Sequence, residues 1–191
     1  MVQQPPEHFD GWRIDIDSVW EAYNRIFFSF KRSELEQENY LRRLYRSYFI
    51  VFSYSFIDAI TSKLLIEQFH LSKAKLKEFK HLKLKVQCLD KFGPALGALD
   101  AYDNFWKDIE WLRNELIHPK RRNHLAAIEL DKLDVSERIK RLNLYAVRAY
   151  EIGKTEFPYW LTGWNFVNSM TSDSVSDGIV VADNAQFKIF L

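Results

Sequence analysis

The chain has 191 residues, 47% hydrophobic and 16% aromatic, which suits one domain with its own core, or one domain and a short appendage. Charged residues make up 28%, which excludes wholesale disorder. Six glycines and five prolines are too few for the turns of a sandwich or barrel, so helices are expected.

The formal net charge of +1 does not by itself mark a nucleic-acid binder, and the distribution says more than the sum. Eight lysines face three acids (Glu67, Glu78, Asp90) between Lys63 and Lys91. The stretch from Arg113 to His124 carries Arg113, Lys120, Arg121 and Arg122 against Glu115. The tail from Thr155 is acidic, with Glu156, Asp173, Asp177 and Asp183 against Lys188. A phosphate-bearing ligand fits this pattern, and so does a solvated charged face. The single cysteine, Cys88, forms no intrachain disulfide and fits a reducing, cytoplasmic compartment. Met1 to Asp10 has no cationic flank before an apolar run, so it does not read as a signal peptide. The most apolar stretch, Tyr48 to Ile60, contains Ser53, Ser55 and Asp58 and is too short to span a bilayer, so no membrane is expected.

Residues 1–16 read as a loose arm. Asp15, Asp17 or Ser18 can cap a first helix reaching about Arg32, with Val19, Tyr23, Ile26, Phe27 and Phe30 on one face. Leu41, Leu44, Tyr45, Tyr48, Phe52, Phe56 and Ala59 predict a second helix over about Glu38 to Phe69. It is also apolar on its other face between Ile50 and Ile57, so it is either central in a bundle or partly in a subunit interface. A lysine-rich helical stretch, Lys73 to Phe92, is interrupted near Phe79 and stops at Phe92-Gly93-Pro94. Leu99, Tyr102, Trp106, Ile109, Leu112 and Leu116 predict one helix over about Ala95 to Ile117, ended by His118-Pro119. Pro119 to about Leu130 reads as a basic loop. A last helix is expected over about Asp131 to Gly153, with Leu133, Ile139, Leu142, Tyr145, Ala146 and Ala149 facing inward. After Thr155 come Trp160 and Trp164, read as anchors of the tail. Two β-like runs follow, Gly178 to Ala182 and Gln186 to Leu191, with Asp183-Asn184 suited to a hairpin turn. The expected fold is all-α: an up-and-down bundle of four to five main helices over residues 17–154. A short irregular or β-like tail, 155–191, would pack on the bundle or on a partner.

The sequence has no glycine-rich phosphate loop and no GxSxG. The five histidines show no i,i+4 pair, and one cysteine excludes a multi-cysteine zinc site, so neither metal nor cofactor is expected. What remains is Arg113-Asn114-Glu115-Leu116-Ile117-His118 at a helix end. Five helical residues separate Arg113 and His118 by roughly 140°. Pro119 frees His118 from helical geometry, so that it can turn toward Arg113. An arginine can grip a phosphate with two parallel hydrogen bonds, and a histidine exchanges protons near neutral pH. Acting on RNA, such a pair would need no metal. Two proton transfers are awkward for one histidine, so a symmetric dimer would help. A structural reading stands beside this one: His118 favours the helix dipole, and Arg113 pairs with Glu110 or Asp58. Lys120, Arg121 and Arg122 can hold further RNA phosphates or form a solvated loop. Lys73 to Lys85 reads as a surface face. Tyr45, Tyr48, Tyr102 and Trp106 can stack on bases, but their helical spacing suits a core.

The segment Trp111-Leu112-Arg113-Asn114-Glu115-Leu116-Ile117-His118-Pro119-Lys120 resembles the arginine–polar–histidine motif of the HEPN superfamily, small helical bundles that include metal-independent ribonucleases. Ser55-Phe56-Ile57-Asp58-Ala59-Ile60 is similar to that family's acidic residue in an apolar helix, with aspartate where glutamate is frequent. The resemblance covers about residues 17–152 in helix order. It implies that Arg113 and His118 are catalytic, that Asn114 orients or contacts the phosphate, and that Asp58 positions Arg113. It also implies an RNA substrate, a homodimer, and a toxin or phage-defence role with an antitoxin or other protein partner. Other family members are non-catalytic binding or dimerisation modules.

Overall fold

The computed structural model describes residues 18–93, 97–118, 123–156 and 158, and the backbone of three short strands beyond them. The expected N-terminal arm, the capping candidates Asp15 and Asp17, Pro119 to Arg122 and the tryptophans at 160 and 164 lie outside the described residues, and Ser18 is the first residue of α1. The architecture is an all-α bundle. Its helices are α1 (Ser18–Leu35), α2 (Asn39–Glu67), α3 (Lys73–Glu78), α4 (Leu82–Asp90), α5 (Ala98–Trp106), α6 (Glu110–Ile117), α7 (Asn123–Lys132) and α8 (Val135–Gly153).

In α1 and α8 the apolar spacing expected from sequence is the buried face. Val19, Tyr23, Ile26, Phe27 and Phe30 are buried on α1, and Ile139, Leu142, Tyr145, Ala146 and Ala149 on α8. Polar groups fix the start of α8: the Asp134 side chain accepts from the Glu137 N–H at 2.9 Å, which satisfies one of the first-turn donors. Its end is a left-handed Lys154, φ 49°. Helix α1 packs on α2, and α8 packs on α5 and α2. The Tyr145 hydroxyl reaches Thr61 of α2 at 2.5 Å, both residues being fully buried. Close approach matters near α8 as well: a Cβ on Gly93 would overlap the Ile152 side chain.

Helix α2 buries the second of its two expected apolar faces, Ile50 to Ile57, and of the first stripe only Phe56. Phe49, Ile50, Ser53, Phe56, Ile57, Ile60, Thr61, Leu64 and Leu65 are buried, whereas Tyr48 is exposed and Leu41, Leu44, Tyr45, Phe52 and Ala59 are half-buried. A helix apolar on most sides gives its period little power to pick the inward face. By length and composition alone, its 29 residues are also enough to cross a membrane, unlike the shorter stretch read from sequence. Half of its most apolar window is buried inside the bundle.

One expected helix is broken and one expected loop is helical. The segment expected as one helix from Ala95 to Ile117 splits into α5 and α6 at Lys107 to Ile109, where Asp108 is left-handed (φ 71°). The apolar stripe continues in phase across the break, which hides it from periodicity. What holds the break is a charge from α8. The Arg138 guanidinium donates to the carbonyls of Phe105 and Lys107, both at 2.8 Å, and its Nη2 lies 3.9 Å from the Asp108 carboxylate. It thus satisfies the carbonyls that end α5. Arg46 does the same for α7, donating to the carbonyls of Leu130 and Asp131 at 2.7 and 2.9 Å. Helix α7 is the second departure, for residues 123–130 were expected as loop. Ala126 and Leu130 of α7 are buried.

In the tail, β1 (Val175–Ser176), β2 (Ile179–Ala182) and β3 (Phe187–Ile189) form an antiparallel sheet in that order. The register of β2 on β3 pairs Val180 with Ile189 and Ala182 with Phe187, as the expected strand pair requires.

Candidate functional site

The break at Asp108 starts α6 afresh and brings it against α2. Leu112 is the buried residue of α6. Arg113, next along, lies across the Tyr54 ring of α2 with its guanidinium carbon 4.1 Å from the ring centroid. A flat cation over an aromatic face is attracted by the ring quadrupole. Tyr54 is held in turn by Trp106, whose ring is 6.1 Å away in an edge-on arrangement. Trp106 also contacts Tyr102 and Phe105.

The Arg113 guanidinium donates from Nη1 to Asn114 Oδ1 at 2.9 Å. Its Nε is buried and has no hydrogen-bond partner among the described residues. No carboxylate among the described residues lies within ion-pair reach of it. The pairing of Arg113 with Glu110 or Asp58, one of the two sequence expectations, is therefore not what holds it. Arg113 is half-buried, fixed by a ring and an amide, with its charge available to an anion.

His118 stands at the C-terminal end of α6 and is exposed. Its N–H still donates to the Asn114 carbonyl at 2.9 Å, but its own backbone (φ −125°, ψ 71°) has left the helix. The end of the helix before Pro119 is the expected one. Asn114 therefore joins both ends of the motif, its side chain to Arg113 and its carbonyl to His118.

Asp58 departs from its expected place. Its carboxylate accepts from Lys85 Nζ of α4 at 2.6 Å, and the same ammonium lies 3.3 Å from Ser62 Oγ. Asp58 thus ties α2 to α4, and it lines an open cleft of about 880 Å³ with Arg25, Ser55 and Lys63. Lys85 correspondingly leaves the expected surface lysine face: its side chain is 17% exposed. Spacing gives no sign of this pair, because the partners are 27 residues apart. Lys120, Arg121 and Arg122 lie outside the described residues.

Sequence reasoning missed Tyr54 as the platform for Arg113. Its one signal was its place in the apolar run, one turn before Asp58. Tyr102 and Trp106 are buried, as their helical spacing suggests. The Tyr102 hydroxyl is pushed well above its ordinary pKa by burial first and by the Glu110 charge second, with Arg113 working in the opposite direction. Tyr54, Tyr102, Trp106, Glu110, Arg113 and Asn114 line a half-open cavity of about 20 Å³. Among the described residues no cluster of histidine, cysteine, aspartate and glutamate suits a metal ion. No family model matches the chain, and neither curated proteins nor solved structures give a match.

Proposed function

We propose that the protein is a HEPN-like, metal-independent endoribonuclease whose catalytic segment is Arg113 to His118. The observation that carries this reading is the state of Arg113: stacked on Tyr54, oriented by Asn114, and unpaired with any carboxylate among the described residues. A preorganised cation of this kind stabilises the negative charge that grows on a phosphorus centre during substitution. His118, exposed at the helix end, supplies the proton transfers.

In the reaction, a base removes the proton of a ribose 2′-hydroxyl, and its oxygen attacks the adjacent phosphorus. The bond from phosphorus to the 5′-oxygen breaks. An acid then donates a proton to that leaving oxygen. The products are a 2′,3′-cyclic phosphate and a 5′-hydroxyl. His118 of one chain serves as the base and the same residue of a second chain as the acid. Exposed apolar side chains beside the motif, Ile117 on α6 with Leu125 and Ile128 on α7, support a homodimer at this end of the bundle. Asn114 contacts the phosphate or orients Arg113. Lys120, Arg121 and Arg122 contact neighbouring phosphates. The setting is cytoplasmic, as a toxin or defence effector with a protein antitoxin.

The pairing of Asp58 with Lys85 favours a second reading, because it removes one element of the motif. In it, the bundle is a non-catalytic module that binds RNA, a nucleotide or a protein through the same arginine. Incubating purified protein with RNA in EDTA separates the two. Cleavage that is lost in His118→Ala supports the ribonuclease. Undiminished cleavage in that variant refutes it, and salt-sensitive binding without cleavage selects the module.

A further inference from the structure

Beside Arg113, between α5 and α6, lies an open cleft of about 660 Å³ whose wall carries Asp100, Asp103, Asp108 and Glu110 against one cation, Lys107, with Trp106 and Trp111 among its other residues. Two of its acids are engaged: Asp103 by Lys83 at 2.7 Å, and Asp108 by Arg138 at 3.9 Å. Asp100 and Glu110 have no cationic partner among the described residues. A phosphate is repelled here. A group rich in N–H donors is attracted.

Two independent observations give the cleft a more definite occupant. Trp111 on its rim is 39% exposed, large and apolar. It lies in the first turn of α6. The second observation is Trp106, which is 4% exposed and whose indole Nε1 is buried with no hydrogen-bond partner. A buried donor left unpaired is costly, and its presence points to a group that completes it. Trp106 and Glu110 belong both to this cleft and to the 20 Å³ cavity under Arg113, whose Nε is likewise unpartnered. That inner cavity has room for a single oxygen.

We propose that this cleft is a guanine-binding subsite. An aromatic platform, a carboxylate acceptor and an oxygen-sized hole whose lining residues Trp106 and Arg113 each carry an unpartnered buried donor match one nucleobase edge. Trp111 stacks on the ring. The Glu110 carboxylate accepts from guanine N1–H and its 2-amino group together. The guanine O6 enters the inner cavity, where Trp106 Nε1 and Arg113 Nε donate to it. Uracil, adenine and cytosine lack two adjacent donors beside a carbonyl oxygen. The subsite rests on the ribonuclease reading only in assigning the base to RNA. It places a guanosine next to the phosphate held by Arg113.

The test uses the full chain and 5′-mononucleotides, which contain no bond for it to cut. Nitrogen–proton spectra follow the six tryptophan indoles, with Trp106 assigned through Trp106→Phe. GMP and unphosphorylated guanosine are expected to shift the Trp106 indole signal. GMP is expected to bind roughly tenfold or more tighter than UMP, AMP or CMP, the discrimination typical of a bidentate base contact. Glu110→Gln brings GMP down to the level of UMP. Trp111→Ala weakens GMP about tenfold, with an unchanged circular dichroism spectrum. Equal binding of all four nucleotides, no binding, or full GMP selectivity in Glu110→Gln overturns the subsite. Guanine selectivity without RNA cleavage overturns the ribonuclease and leaves the subsite standing. Cleavage without guanine selectivity does the reverse.

Discussion

Replacing Arg113 with lysine keeps the charge and removes the geometry. The planar guanidinium lies 4.1 Å over Tyr54 and donates to Asn114 at 2.9 Å. Lysine keeps neither the flat stack nor the fork. The stacking contributes about 0.5–1 kcal/mol at a half-exposed site, and the hydrogen bond about 1 kcal/mol. Arg113→Lys should therefore lower stability by about 1–2 kcal/mol, a shift of roughly 2–8 °C in Tm for a domain of this size. The effect on catalysis is expected to be larger. Losing one preorganised group at the growing negative charge costs about 100- to 1,000-fold in rate. Thermal melting and single-turnover RNA cleavage, measured on the same preparation, separate the two effects. A Tyr54→Leu control keeps the guanidinium but removes its platform, and its rate should fall by less. Wild-type cleavage by Arg113→Lys would refute the idea that guanidinium geometry matters. An equal rate loss in Tyr54→Leu and Arg113→Lys would assign the effect to packing instead.

Asp58→Asn should lower stability by about 1–2 kcal/mol through its weakened contact with Lys85, and should leave the cleavage rate of the folded fraction unchanged. Denaturant titration alongside cleavage checks this, and a rate loss without a stability loss would return Asp58 to the active site. Tyr145→Phe removes the donor to Thr61, whose own hydroxyl is also bonded to the Ile57 carbonyl. About 1 kcal/mol should be lost in urea unfolding, and no change would contradict the buried bond. The Arg43 hydrogen bond, at 2.8 Å, holds the Asp131 carboxyl below its ordinary pKa. Folded Asp131 thus gives up its proton more readily than unfolded Asp131, and the pair's stabilisation is present above the ordinary carboxylate range. It is lost as pH falls through the folded value, so the stability difference between wild type and Asp131→Asn should shrink between about pH 5 and pH 2. A pH-independent difference would contradict it.

How legible the fold was in the sequence depended on contrast. In α1 and α8 one face is apolar and the other charged, so Ile26 and Leu142 announce their burial. In α2 the contrast fails, and of its two apolar faces the one with Ile50 turns inward while Tyr48 stays exposed. The break at Asp108 could not be read, because its cause is Arg138, thirty residues later, reaching back to carbonyls that carry no side-chain signature. Helix α7 was hidden for a related reason: of its apolar residues, Leu125 and Ile128 face outward. In the candidate site, Pro119 made the end of α6 visible and Arg113 to His118 with it. Tyr54 and the Asp58–Lys85 pair arise from contacts between helices, which no local spacing encodes.

The chemistry of the cut ends tests the central claim most directly. RNA incubated with the wild-type protein in EDTA should yield fragments bearing 2′,3′-cyclic phosphate and 5′-hydroxyl ends, identified by mass spectrometry. A single 2′-deoxy substitution at a cut site should abolish cleavage there. Fragments with 5′-phosphate ends, or cutting that continues at the 2′-deoxy position, would contradict attack by the 2′-hydroxyl and with it the role assigned to Arg113 and His118.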